Sequence, residues 1–437
     1  MKPVMPERVL ERMRRLLGEE GALASGQRVA AFPASPGEVG AVLRIAREEG
    51  WTVDPRGGGT ADGEGDTPGA GAADLIVSSS RLGELVEHEP ADLTFRAQAG
   101  LTVAALERRL AEEGQWLALD PPGGGRVTLG GMVASGVAGP LQAQFGRPRD
   151  QLLGVTLVDG SGRILVLGGR VVKNVAGFDL VRLVAGSRGG LGVITEVVFR
   201  LYPLPGDDRT LVWGFDDPLE AWEQGRALAS LPLPLAAVEW LDGDWPEPLD
   251  GSGPRVLVRL LGSEEAVAGM RRVLEGVAGP PDRAWAGPES RKVAAAIAAG
   301  AAEGTAILRL HALPGEGAAL LALVDQLAAD RAALHLLGGT LRVSTRPAPA
   351  DSTLQSMRAE AGRSGATLTV VRRGAREGGT GTEGPKSDFT GFSPPVAELH
   401  RRLTHEFDPG GILPGSWREA WSGEGGWVAA GKAGTRG

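Results

Sequence analysis

The sequence predicts an α+β protein of more than one domain, and three observations carry that expectation. The chain has 437 residues, about three times a ~150-residue domain. Through its first half, short helical segments with recognisable caps alternate with extended apolar segments. Glycine clusters punctuate that alternation, yet glycine and proline (68 and 30 residues) stay below a quarter of the chain. With 42% apolar and 23% charged residues, this is the composition of a folded protein with many backbone-limited loops.

The elements follow in order. Residues 5–20 form an amphipathic helix. RVAAFPAS, 28–35, is extended and ends in a helix start: Ser35 is the N-cap, Pro36 takes the first helical position and Glu38 completes a capping box. Val39, Val42, Leu43 and Ala46 then lie on one face, and Gly50 closes the helix. WTVDP (51–55) and LTFRAQAG (93–100) read as strands. A helix from Thr102 carries Val103, Leu106 and Leu110 to Gly114, and WLAL (116–119) is a further strand. GVTLV and RILVL flank Asp159-Gly160-Ser161-Gly162, a hairpin signal. DLVRLVAGS is helical, and GVITEVVFRLYPLP is a strand ending in Pro203 and Pro205.

These signals divide the chain into an N-terminal helix (1–24), a first domain (25–205), a second, smaller α+β domain (206–400), a segment returning to the first domain (401–421) and a disordered tail (422–437). Ala/Leu-rich helices alternate with strands such as RVLVRLL and TAILRLHAL in the second domain. Residues 374–388 have no apolar anchor and are expected to form a mobile loop. PPVAELHRRLTHEF is a helix, followed by the tight segment DPGGILPGSW.

Composition excludes several functions. A net charge of −8 and a pI near 5.4 give no basic footprint for nucleic acid. No apolar run approaches ~18 residues, and the charged N-terminus is not a signal peptide, so a cytoplasmic protein is expected, at most peripheral to the inner membrane through partners. The absence of cysteine removes disulfides, thiolate metal sites, Cys-ligated iron–sulfur clusters and a cysteine nucleophile. The five histidines are sparse; His400 and His405 are five apart, off the spacing of a helical metal pair, so no metal is expected.

Four glycine-rich sites dominate the first half: Pro55-Arg56-Gly57-Gly58-Gly59-Thr60, Pro122-Gly123-Gly124-Gly125, Thr128-Leu129-Gly130-Gly131-Met132 and Gly186-Ser187-Arg188-Gly189-Gly190-Leu191-Gly192. Glycines let successive backbone N–H groups converge on an anion such as a pyrophosphate. A Rossmann loop needs strand, glycines, then helix; 186–192 has the reverse order. Any one cluster alone reads as an ordinary turn. Their order within one unit does not.

That order resembles the FAD-binding domain of the vanillyl-alcohol-oxidase/p-cresol-methylhydroxylase (PCMH) type. The strings that carry it are PRGGGT (55–60), GGMVASGVAGP (130–140), FGRPRDQLLGVTLVDGSG (145–162) and VVKNVAGFDLVRLVAGSRGGLGVITEV (171–197). The last is especially similar to the FAD-binding subunits of bacterial glycolate oxidases, and DPGGILPGSW resembles a degenerate form of the family's ending. The resemblance covers residues 25–205 and 395–417. It implies two small α+β subdomains gripping FAD, with a cap domain over the flavin ring.

By that resemblance, the backbone of Arg56, Gly57, Gly58, Gly59 and Thr60 wraps the FAD pyrophosphate. Pro122, Thr128, Gly130, Gly131, Ser135 and Gly136 line the cofactor, and Gly192, Val193 and Ile194 hold its adenine-side half. Lys173 and Asn174 shape the site, with Asp179 in a structural role; a solvated surface lysine is the alternative for Lys173. Two features depart from the family: acidic residues at 62–66 follow PRGGGT, and Leu413 replaces an amide near the flavin ring. With no cysteine, and no histidine near PRGGGT, FAD is expected to be non-covalent.

Oxidising a 2-hydroxy acid needs a base near the hydroxyl and an arginine fork for the carboxylate. The candidates are His311 with Arg309, and Arg342 with Arg346. None sits in a recognisable catalytic string, and a strand-end histidine is also a common structural residue. Tyr202, beside Pro203, reads as a strand-end anchor. The leading expectation is the FAD-binding subunit of a glycolate-oxidase-like complex oxidising glycolate or D-lactate, with a catalytic flavin subunit and an iron–sulfur subunit as partners. The alternatives are a stand-alone FAD oxidoreductase of a hydroxy acid or sugar alcohol, and a flavin-free assembly subunit.

Overall fold

Arg28–Ala31, Pro36–Glu49 and Val53–Arg56 make a strand–helix–strand unit in the computed structural model, which describes residues 6–26, 28–60, 73–169, 178–300, 304, 306–324, 326–327, 329–363, 365–373 and 394–414. Ser35 Oγ accepts the Glu38 N–H at 3.2 Å, and the Glu38 carboxylate accepts from Ala34 N at 2.8 Å, one residue upstream of the usual capping-box partner. Gly50 closes the helix at φ 71°, a left-handed conformation that glycine adopts without a Cβ clash. Val39, Val42, Leu43 and Ala46 are the buried face, as the periodicity predicts. Both strands pair in parallel with Leu75–Ser78, and Ala22–Ser25 adds an antiparallel edge.

A second sheet is antiparallel throughout, in the spatial order Leu85–Glu89, Thr94–Gln98, Val193–Arg200, Leu152–Val158, Ile164–Gly168. The Asp159 turn joins its last two strands. There the Asp159 carboxylate accepts the N–H groups of Ser161 (2.9 Å) and Arg163 (3.0 Å). Desolvation opposes its charge, but the hydrogen bonds from Ser161 and Arg163 prevail and hold its pKa below the usual carboxylate range. Helices Val103–Ala111 and Leu129–Ser135 share a core with this sheet.

Two strands are shorter than their apolar runs suggest. Of WLAL only Trp116 lies in a strand, Gln115–Trp116, and the long strand from Val193 stops at Arg200. Leu201 N–H turns away to the Leu93 carbonyl, and Tyr202–Pro203 then pairs with Gln115–Trp116. Tyr202 lies edge-on to Phe145, with Arg200 over its ring, in an anchoring role.

The rest of the fold is one eight-stranded antiparallel sheet: Arg283–Ala286, Asp207–Gly214, Arg255–Gly262, Ala237–Gly243, Ala329–His335, Thr340–Thr345, Ala306–His311, Thr367–Arg373, in spatial order. Successive side chains point to opposite faces of a strand. Trp213, Val238, Trp240, Val258, Leu308, Leu310, Leu341, Val343 and Leu368 thus form one apolar face, buried with residues of helices Pro218–Ala229, Glu264–Ala278, Gly317–Val324 and Asp351–Arg363. The opposite face carries Asp208, Thr210, Glu239, Arg259, Arg309, His335 and Arg342. Helix Gly287–Gly300 shares an apolar cluster with Trp285 at one end of that face.

After helix Pro394–Phe407, the buried Asp408 carboxylate accepts the N–H groups of Ile412 (3.1 Å) and Leu413 (3.0 Å). Val53 donates to the Ile412 carbonyl at 2.7 Å, so this segment lies along the first sheet. The loop at 374–388 and the tail at 422–437 are outside the described residues. No helix among the described residues is long and apolar enough to cross a membrane.

On the polar face, Arg259 grips Asp208 with two hydrogen bonds (3.1 and 2.9 Å), and Ser290 Oγ donates to the same carboxylate at 2.6 Å. Both charges are over 90% buried. Arg259→Met strands a buried carboxylate and is expected to cost ~3–5 kcal/mol, whereas the double variant Asp208→Leu/Arg259→Met recovers most of that loss. Urea denaturation of the three proteins measures this.

Candidate active site

The four glycine-rich segments meet. A Cβ on Gly57 would lie 2.2 Å from Thr128 Oγ1, and one on Gly58 would lie 2.9 Å from the Arg126 carbonyl oxygen. Gly123 faces Thr60, Gly189 faces Pro55, and Gly136 faces Gly186, all at 3.0–3.3 Å from the same construction. Pro122 is partly exposed in the turn beside Gly123. Thr128 caps helix Leu129–Ser135, its Oγ1 accepting the Gly131 N–H at 3.2 Å, while Gly130 N–H donates to Ala99 at 2.7 Å. Among the described residues, none of the N–H groups of Gly57, Gly58, Gly59 and Thr60 donates to a backbone carbonyl. Such a run of N–H groups suits an anion.

Some predicted positions serve packing as well. A Cβ on Gly131 would fall 2.9 Å from Thr128 Oγ1, so a bulky residue at Gly58 or Gly131 disturbs the loop contacts themselves. Gly192, at φ 152°, is pressed against the Val158 carbonyl. Val193 and Ile194 bury their side chains in two cores, leaving only backbone for a ligand. Arg56 Nε donates to Asp54 at 2.8 Å. Leu413 is a core residue under the first sheet and its N–H is committed to Asp408, so its side chain does not stand in for a polar group beside a ligand. Asp179 caps helix Leu180–Val184 by accepting the Arg182 N–H. Lys173, Asn174 and the acidic stretch 62–66 lie outside the described residues.

Past Ser135 and Gly136 the segment opens on a cleft of about 320 Å³ between the domains. Ser135, Gly136, Val137, Ala138, Gln142, Arg147 and Arg188 line it from one side, and the polar face of the large sheet closes the other. There the strand register makes two rows. Arg342, Arg309 and Thr369 are direct neighbours across three strands, as are Thr340, His311 and Thr367. Arg309 and Arg342 are thus neighbouring cations on the wall of the cleft.

His311 Nδ1 lies 3.1 Å from Thr340 Oγ1. Desolvation, then the Arg147 and Arg309 guanidiniums, hold its pKa below the ordinary histidine value, so the ring is neutral at pH 7. The predicted His311, Arg309 and Arg342 therefore share one cleft with Ser135 and Gly136. Arg346 does not: it faces Asp330 at 3.4 Å and does not line the cleft. Sequence reasoning passed over Arg147, Arg188, Gln142, Thr340, Thr367 and Thr369. Arg147, set between Gly146 and Pro148, carried a signal in its turn-forming flanks; the threonines carried none.

Behind the cleft lies a buried cluster that the sequence did not announce. His335 Nδ1 is 2.6 Å from Glu239 Oε1. Burial opposes its charge, but Glu239 prevails and raises the His335 pKa. Asp120, from the first domain, accepts the Leu141 N–H and faces a cavity of about 20 Å³ with Glu239 and Arg259. Desolvation raises its pKa to about 7, against the Leu141 hydrogen bond and the nearby cations. Beside it, the Arg259 and His335 cations favour its charged form and the Glu239 anion opposes it.

Because the folded pKa of Asp120 exceeds its unfolded value of 3.8, the stability it contributes is full below about pH 4 and is lost as pH rises towards 7. Asp120→Asn is expected to flatten that decline by up to a few kcal/mol, on the order of 1.4 kcal/mol per pKa unit. Denaturant titrations between pH 4 and 7 provide the comparison.

Residues 28–168 match the family model described as FAD binding domain. Glycolate oxidase subunit GlcE of Escherichia coli (strain K12) is 35% identical over 193 residues, 44% of this chain and 52% of that protein. D-lactate dehydrogenase of Archaeoglobus fulgidus is 32% identical over 205 residues, 47% of this chain and 45% of that protein. The chain spans about half the length of these curated relatives. The crystal structure of p-cresol methylhydroxylase with substrate bound superposes with a TM-score of 0.71, covering 95% of this chain and 96% of that one. At 15% identity that likeness is one of fold. Residues 28–168 are thus similar in sequence to the FAD binding domain, and the chain as a whole shares the fold of p-cresol methylhydroxylase.

Proposed function

We propose that this chain is the FAD-binding subunit of a glycolate-oxidase-like 2-hydroxyacid dehydrogenase and that its own cleft receives the 2-hydroxy acid. The observation that carries the reading is the pair of cross-strand rows, which sets a neutral imidazole beside an arginine pair and opposite Ser135 and Gly136. The glycine segments 55–60, 122–131 and 186–192 would hold the FAD pyrophosphate through backbone N–H groups, and residues 135–138 would line the cofactor. The close approaches at Gly57 and Gly58 fit such a cradle, which has no room for a Cβ. When bound, FAD supplies a two-electron acceptor.

The chain's own residues do the rest. Arg309 and Arg342 hold the substrate carboxylate. His311 Nε2 takes the hydroxyl proton as the substrate is oxidised to the 2-oxo acid, while Thr340 orients the ring through Nδ1. Likeness to a glycolate oxidase subunit supports partners, namely a second flavin subunit and an iron–sulfur subunit, since this chain has no cysteine for a cluster. A cytoplasmic location, at the membrane only through those partners, goes with this reading.

Two outcomes are expected. The purified chain reconstituted with FAD shows a flavin spectrum, and acid precipitation releases all of the flavin to the supernatant; flavin retained in the pellet would mean covalent attachment. Under anaerobic conditions glycolate or D-lactate bleaches that flavin, and His311→Gln slows bleaching about 10²–10⁴-fold. The acid limb of the wild-type rate lies below pH 6.5, because His311 must be neutral to accept a proton and its pKa is depressed. A flavin-loaded chain that no 2-hydroxy acid bleaches would overturn the assignment of substrate chemistry to this cleft.

A further inference from the structure

We propose that Asp120 is a proton-operated joint between the cofactor segments and the second domain. With its carboxyl protonated the segments stay clamped against the large sheet; its ionisation lets them part, so that FAD is released faster. This rests on the placement of FAD proposed above and adds a positioning residue to it. Asp120 stands where parts of both domains meet. Shortly after it in the chain, Gly123 faces the 55–60 loop, its Cβ position 3.3 Å from the Thr60 Cβ. Both Asp120 oxygens accept the Leu141 N–H, at 3.1 and 3.2 Å, and Leu141 ends the segment that carries Ser135 and Gly136. That segment is pressed onto Asp120: a Cβ on Gly139 would lie 2.0 Å from its carbonyl oxygen and 2.6 Å from Oδ1. Leu141 then buries its side chain with Ala236 and Leu261 of the second domain.

The surroundings suit a neutral carboxyl better than a charged one. Among the described residues the Leu141 N–H is its one hydrogen-bond donor, where a carboxylate can accept about four. The cavity it borders has about 20 Å³, room for about one water. Across that cavity stand Glu239 from strand Ala237–Gly243, itself held by His335, and Arg259 from Arg255–Gly262, which makes two hydrogen bonds to Asp208. Strand Asp207–Gly214 adds Thr210, bonded to Ser290. Helix Gly287–Gly300 adds Ala294 and Ile297, while its Arg291 lies 4.0 Å from Asp208. Desolvation raises the Asp120 pKa to about 7, with Glu239 in support and Leu141, Arg259 and His335 opposed. Once the segments part, the same carboxyl meets water and ionises near 3.8. The parted form therefore gains about tenfold per pH unit from about pH 4 to about pH 7, and nothing further above.

The test is the rate of flavin release from the full, FAD-loaded chain between pH 5 and 8, followed by rapid gel filtration at timed intervals after dilution. Circular dichroism checks that the chain stays folded over that range. The rate is expected to rise at least tenfold from pH 5 to 7 and to level off above. Asp120→Asn keeps an acceptor for the Leu141 N–H but cannot ionise, and its rate is expected to change less than threefold. Hydrogen exchange of segment 136–141, corrected for its intrinsic pH dependence, is expected to quicken together with release in the unsubstituted chain. A release rate of that chain independent of pH would overturn the proposal, whether or not the variant folds. A rise that survives Asp120→Asn would overturn the role of Asp120, and unchanged protection of 136–141 would overturn the parting of the segments. A chain that retains no FAD at any pH would overturn the cofactor placement itself, and this proposal with it.

Discussion

The eight-stranded sheet must satisfy two environments at once, and the rest of the molecule is arranged around that constraint. Its strands alternate apolar and polar side chains over long stretches, so the apolar set needs helices and the polar set needs either water or partners. Four helices contribute to the apolar core on one side. On the other side the FAD-binding domain approaches, and the polar rows become buried charge pairs at the centre and a cationic cleft at one end. A shift of register by one residue in Arg255–Gly262, Ala306–His311 or Thr340–Thr345 would send a guanidinium into the core.

Charge is handled differently in the two regions. At the centre, cations and anions are matched: Arg259 with Asp208, His335 with Glu239, and Asp120 held near neutrality by its desolvation. Burial without matching would cost several kcal/mol per charge. In the cleft, Arg147, Arg188, Arg309 and Arg342 are among the described lining residues, beside the His311 ring. The same sheet face thereby joins the domains and addresses a ligand.

The glycine loops illustrate a second economy. Their Cβ-free surfaces press on one another, Gly57 on Thr128 and Gly58 on Arg126, and that tight contact lays out a run of N–H groups. Packing and anion binding draw on the same absence of side chains. Substitutions there therefore test loop structure and cofactor retention together, whereas His311 allows chemistry to be tested apart from the loops.

Much of this was legible locally. Ser35 and Thr102 cap helices because a side-chain oxygen meets an N–H three residues on, a relation that sequence alone states. The Asp159 turn and the apolar faces of short helices were readable for the same reason, as was the order of the glycine strings. The alternation in ILRLH and TLRVS also told which side chains share a face. It could not tell that Ala306–His311 sits between Thr340–Thr345 and Thr367–Arg373, because strand order is set by contacts between distant residues. That non-local pairing places Arg342 beside Arg309 and Thr340 beside His311, and the docking of the first domain adds Arg147 and Asp120. Local periodicity and capping thus determined the elements, while the glycine strings, their resemblance and the chemistry of the reaction named the candidate residues; only the tertiary structure, through strand order and domain contact, decided that His311, Arg309 and Arg342 meet in one cleft.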